Sequence, residues 1–122
     1  MLLLIVLNMS TKNQNLEEAI LLFTLGQTAK ALEFVHAITK DEPQSIDAWR
    51  ALAEIQLSEN NVKEAEVACL RALEIDSSDL TSTVTLARVL VKKGDKKGAE
   101  DASAKARVLG WKDELAQQNE DS

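Results

Sequence analysis

The sequence predicts an all-α protein built from repeated helix pairs, and three observations predict it. Ala and Leu dominate, aromatic residues make up only 3% and tyrosine is absent, a balance that favours helices over strands because unbranched chains lose little freedom there. One proline and four glycines leave few breakers in 122 residues, so tight turns are expected between helices. Small and apolar residues also recur with a period of 34, the mark of stacked supersecondary units.

The period is carried by specific residues. Ala31, Ala65 and Ala99 share it, as do Ala19, Ala53 and Ala87, and Gly26, Asn60 and Gly94. Leu52 and Leu86 match, with Glu18 in the first copy; Ala72 and Ala106 match, with the larger Ile38 before them. Pro43 is followed by Ser77 and then Trp111, so the terminating proline survives once. Each class has a mechanical purpose. Small side chains let two antiparallel helices approach, and Leu, Trp or Val fill the spaces between them. Gly26, Asn60 and Gly94 can take the left-handed conformation that ends a first helix. Asn61 with Glu64 then reads as a capping box for the second helix of the middle copy, and Asp95 as the cap in the third. Pro43 stops a helix before the next copy, and Ser45 and Asp79 can cap the opening helices of the second and third copies.

With these residues the 34-residue period resembles the tetratricopeptide repeat family over residues 12–113. The middle copy matches best, through Trp49, Leu52, Ala53, Ala65, Ala72, Leu73 and Ile75. The third matches through Leu86, Ala87, Leu90, Gly94, Ala99 and Ala106. The first departs in its opening helix, where Asn15 and Glu18 replace large apolar residues. The resemblance implies three repeats, 12–45, 46–79 and 80–113, between an apolar segment at 1–11 and a short cap and acidic tail at 114–122. It implies six helices, near 15–25, 27–40, 45–58, 61–75, 79–93 and 95–109, stacked as a right-handed superhelix, and a short capping helix near 111–118.

The two ends are not alike. The last repeat helix surrounds a narrow alanine stripe with Lys96, Lys97, Glu100, Asp101, Lys105 and Arg107, as a terminal unit should, and Trp111 with Leu115 would finish that end. The first helix is apolar on nearly every side through Ile20, Leu21, Leu22, Phe23 and Leu25, the pattern of a helix covered all round. Its cover is expected from residues 2–7 folded back, a second copy of the chain, or an upstream domain; the alternative for residues 1–8 is a misplaced start, since Met9-Ser10-Thr11 would be a normal polar beginning. These five residues are the expected self-association surface of a homodimer. Charge is uneven too: residues 46–79 carry three basic and eight acidic side chains, and residues 80–113 eight basic and four acidic. The basic unit either steers an acidic partner or is a solvated surface, and the opposed charges permit head-to-tail contact.

Several functions are disfavoured. A net charge of −6 argues against nucleic acid, which needs a cationic surface. The apolar start is too short for an integral membrane span of about 20 residues and has no basic flank or cleavage site, so a cytoplasmic location is expected. His36 and Cys69 are the lone histidine and cysteine, which leaves no His/Cys metal cluster and no internal disulfide. His36 is expected to face outward and Cys69 to be a small core residue. Gly94 and Gly98 lack a phosphate-loop pattern, and no cofactor or catalytic set is expected, so the protein should not be an enzyme.

A protein or peptide partner is expected instead. The resemblance implies a concave groove formed by Asn13, Leu16, Glu17, Ile20, Thr24, Asp47, Arg50, Ala51, Glu54, Ser58, Thr81, Val84, Thr85, Arg88 and Lys92. Leu16 and Ile20 stand where the Hsp70/Hsp90 co-chaperones carry Lys and Asn to grip a terminal carboxylate, which argues against that ligand. An apolar first copy and a basic third copy suit an amphipathic segment with an acidic end. The alternatives are a structural protein that assembles with itself through the first helix and an accessory of a larger complex.

Overall fold

The computed structural model describes residues 11–121, and among them every regular element is a helix. The six helices are α1 (Thr11–Thr24), α2 (Thr28–Asp41), α3 (Ile46–Ser58), α4 (Val62–Ile75), α5 (Leu80–Lys93) and α6 (Lys96–Asp121). They pack in order as three antiparallel pairs, and α2 against α3 and α4 against α5 join the pairs into a stack. Residues 1–10 lie outside the described residues, and with them the expectation that residues 2–7 fold over α1.

The turn inside each pair is the same three times. Gly26, Asn60 and Gly94 have φ of 84°, 62° and 87°, the left-handed conformation expected of them. Each donates its N–H three residues back, and the following residue donates five residues back: Gln27 to Leu22 O at 2.8 Å, Asn61 to Gln56 O at 2.8 Å, and Asp95 to Leu90 O at 2.9 Å. This double bond pattern satisfies the last carbonyls of the first helix and starts the second almost at once.

The caps divide. Ser45 Oγ accepts from Ala48 N at 3.3 Å and Asp79 Oδ2 from Ser82 N at 3.0 Å, as their positions imply. Asp95 Oδ1 accepts from Gly98 N at 2.9 Å, and a Cβ at position 98 would stand 2.5 Å from Oδ2, so a larger residue there would make the carboxylate shift. The capping box at Asn61 does not form. Its side chain makes no cap bond and instead donates to Gln56 Oε1 at 2.7 Å, tying the turn to the end of α3. Pro43 contributes through its carbonyl, which accepts the Trp49 indole N–H at 2.9 Å. At the next junction Ser78 N and Asp79 N bond to Asp76 and close an equivalent turn, so the second proline is dispensable.

The alanine register builds the core. Ala19, Ala31, Ala53, Ala65, Ala87 and Ala99 are all buried, and Leu52, Ile55, Leu57, Val35 and Val89 fill the space between the close contacts. Val35 and Cys69, one period apart, are both fully buried. Burial pushes the Cys69 thiol up to about 12, Glu54 and Glu66 push in the same direction, and Arg88 opposes them. His36 is exposed.

The separate capping helix is replaced by a longer α6 of 26 residues. Gly110 keeps a negative φ, no proline comes after it, and residues 112–118 are mostly good helix formers, so nothing breaks the ladder. Trp111 and Leu115 consequently continue straight out, both exposed, instead of folding back over the third pair.

This packing has two testable consequences. Ala65→Leu adds three carbons to a fully enclosed position and should destabilise by about 1–3 kcal/mol, visible as a lower urea midpoint at unchanged m-value; an unchanged midpoint would contradict the register. Cys69 should resist a disulfide-exchange reagent at pH 8 in the native protein and react at once in denaturant. Rapid native labelling would mean that the stack opens between α3 and α4.

Candidate functional site

The first helices of the pairs, α1, α3 and α5, form one face of the stack, and two contacts set its geometry. Arg50 on α3 reaches Asp79 at the start of α5: its Nε donates to Oδ2 at 3.0 Å and a second guanidinium nitrogen bonds Oδ1. The same guanidinium donates to Asp47 Oδ1 at 2.8 Å. One turn on, Glu54 Oε1 accepts from Thr85 Oγ1 and from Arg88, each at 2.9 Å. Lys92 Nζ stands 3.5 Å from Asn60 Oδ1, and Lys93 Nζ bonds Glu66 at 3.1 Å.

The acidic middle pair and the basic third pair therefore meet along their junction. Arg50, Arg88 and Lys93 neutralise carboxylates of this fold, and Arg88 and Lys93, two of the eight basic residues of 80–113, do so with acidic residues of the middle pair. Asp79 holds the centre. The Arg50 hydrogen bonds lower its pKa to about 2, burial acts in the opposite sense, and the Ser82 hydroxyl and amide lower it further. The same hydrogen bond raises the Arg50 pKa.

Between α1 and α3 the face opens into a cleft of about 580 Å³, with Leu16, Ile20, Phe23, Ala51 and Ile55 as apolar walls and Thr24, Asp47, Arg50 and Glu54 as polar lining. Of the groove residues expected from sequence, this cleft gathers Leu16, Ile20, Thr24, Asp47, Arg50, Ala51 and Glu54. Thr85, Arg88 and Lys92 lie farther along the face. Thr85 is buried by its bond to Glu54. Glu17, Thr81 and Val84 are exposed and outside the cleft, and Ser58 turns its hydroxyl back to Ile55 O at 2.9 Å. Asn13 lies on α1, where its side chain is outside the described residues.

Sequence reasoning left Ile55 out of the groove and assigned Phe23 to self-association. Phe23 is one period before the buried Leu57, so its position on the inner side was visible in the repeat. Of the five expected self-association residues, Ile20 and Phe23 line the cleft, Leu22 and Phe23 pack against the core, and Leu21 and Leu25 remain exposed. Among the described residues no group of three metal-binding side chains exists, and no helix is long and apolar enough to cross a membrane.

A face of first helices, repeated turns and an alanine-lined stack define a helical-repeat protein with a groove. Residues 22–79 match the family model of the tetratricopeptide repeat, and the third pair continues the same geometry. Over those residues the chain carries tetratricopeptide-type repeats. The type III secretion translocator chaperone SycD of Yersinia enterocolitica, in an alternative dimer, superposes with a TM-score of 0.79 at 17% identity, over 89% of this chain and 86% of that one. SycD in complex with a peptide of the translocator YopD gives the same values. The second repeat domain of Spaghetti (RPAP3), bound to the HSP90 peptide SRMEEVD, superposes at 0.78 and 17% identity over 84% of this chain and 94% of that one. At such identities the likeness is one of fold. No curated protein sequence matches the chain.

Asp79 supplies a pH test. Its folded pKa of about 2 lies below the ordinary 3.8, so its stabilisation is present above pH 4 and lost as pH falls from about 4 to 2. The shift corresponds to about 2 kcal/mol at neutral pH. Asp79→Asn should cost about that much at pH 7 and flatten the acid limb of the stability curve. Parallel acid limbs for the two proteins would show that the Arg50–Asp79 contact does not join the pairs in solution.

Proposed function

We propose that the protein is a non-enzymatic binding scaffold, working in the cytoplasm, that holds a segment of another protein in the cleft between α1 and α3. The observation that carries this reading is a preformed apolar concavity whose polar groups are already matched. Leu16, Ile20, Phe23, Ala51 and Ile55 offer their surface to a side chain of a partner, while Arg50 and Glu54 are held by Asp79, Asp47, Thr85 and Arg88 and need no reorganisation. The similar structures with bound peptides support the class of ligand.

The anchor of the segment is apolar. An acidic end of the same segment would reach the α5 portion of the face, where Arg88 and Lys92 stand. There it competes with Glu54 for Arg88, so its contribution is smaller than the basic composition of the third repeat suggests. A second reading, pairing of the chain with itself through α1, rests on the exposed Leu21 and Leu25, since Ile20 and Phe23 belong to the cleft.

Selection of peptides from a random display library on the intact chain tests the groove. The selected peptides should share an apolar anchor. Ile20→Lys, at a half-exposed wall position that does not threaten folding, should weaken them at least tenfold, whereas His36→Lys on a second helix should leave them unchanged. Equal binding to the Ile20→Lys protein would place the ligand elsewhere.

A further inference from the structure

The third helix pair ends in an open seat. Its residues correspond, one period on, to residues that the stack covers in the middle pair. Leu57 is 2% exposed, and its counterpart Val91 is 68% exposed. Cys69 is fully buried, and its counterpart Ser103 lines an open cleft of about 380 Å³ together with Val91, Ala99, Lys96, Glu100 and Arg107. Glu66, the counterpart of Glu100, is engaged by Lys93 of the third pair. The cleft is therefore the place where the next helix of a stack would lie, and among the described residues nothing occupies it.

A matching helix surface exists on the same molecule and cannot reach the cleft. Val108, Trp111 and Leu115 recur at helical spacing along α6, and Trp111 and Leu115 are 65% and 59% exposed. α6 runs unbroken for 26 residues, about 39 Å, so the stripe cannot fold back over Ala99 and Ser103 of its own helix. A large apolar stripe with a tryptophan at its centre is rare on a free helix surface. Charge points the same way. Lys96 and Arg107 flank the cleft, whereas residues 112–121 carry one lysine and four acidic residues. Glu100 in the cleft and Lys112 beside the stripe oppose this pattern but do not reverse it.

We propose that a second copy of this chain fills the seat, the α6 stripe of each molecule lying in the α5/α6 cleft of the other. The exchange is reciprocal, so one two-fold contact covers both stripes and both clefts and closes at a dimer. It uses the opposite end of the stack from α1 and leaves the α1/α3 cleft open.

Sedimentation equilibrium of the full chain over 1–300 µM tests it, with Trp111→Ala/Leu115→Ala and Leu21→Ser/Leu25→Ser as the two variants. The expected result is a wild-type monomer–dimer equilibrium that the first variant weakens at least tenfold and the second does not change. Raising salt from 50 to 500 mM should weaken the dimer. A Trp49→Phe protein, in which Trp111 is the sole tryptophan, should show an emission blue shift with concentration that tracks dimer formation. A wild-type monomer at 300 µM overturns the proposal, and so does a dimer that depends on Leu21 and Leu25 but not on Trp111. Growth beyond the dimer in proportion to concentration overturns the reciprocal geometry.

Discussion

The structure depends on the close approach of two helices in each pair, and alanine sets that distance. Ala53 and Ala65 are both buried in the middle pair, as Ala19 and Ala31 are in the first and Ala87 and Ala99 in the third. Without bulk at these positions the helices come close enough for one short turn to join them, which is why the left-handed residue at 26, 60 and 94 is followed so soon by the next helix. A pair of this kind buries one side of each helix and leaves the other sides to its neighbours, so most of the remaining apolar surface is satisfied only by stacking.

Stacking is also what the charges serve. The junction between the middle and third pairs carries Arg50–Asp79, Glu54–Arg88 and Glu66–Lys93, each joining residues 27 to 34 positions apart. The surface pairs contribute little individually. Arg50–Asp79 is different, because Asp79 is buried, caps α5 through Ser82, and accepts two guanidinium bonds at once. One side chain thus ends a loop, starts a helix and fixes the angle between two pairs. The same arrangement engages Arg50 with Asp79 and Asp47, which leaves the cleft beside it dominated by apolar walls.

The fold was legible in the sequence because its signals are local and repeated. A left-handed residue, an N-cap and an alanine contact each leave a mark at a fixed spacing, and three copies make the coincidence decisive. The features that escaped were those that depend on a choice between partners. Asn61 had two options, a cap bond to its own helix or a bond to Gln56 at the end of the preceding one, and the tight turn selected the second. Trp111 had the position of a terminator but lacked a breaker, so α6 continued. Arg50 and Arg88 could be placed on first helices from the repeat alone, but the carboxylates that hold them across the junction, Asp79 and Glu54, sit about a full repeat away in sequence. Composition reports such charges without saying which are already neutralised.

The two ends of the stack pose the same physical problem in different forms. At the first end the unsatisfied surface is Leu21 and Leu25 on a helix that also builds the cleft; at the other it is an empty seat beside an extended helix. A repeat stack can resolve an open end by making it polar, by folding a cap over it or by meeting another molecule. Around Lys96, Glu100 and Arg107 the last pair is polar at the rim, yet Val91 and Ala99 keep its floor apolar. The residues that would have made a cap, Trp111 and Leu115, are held away by the helix that carries them. An apolar floor and a displaced cap in one chain are complementary surfaces that only a second molecule brings together, and the groove between α1 and α3 stays free for a different partner.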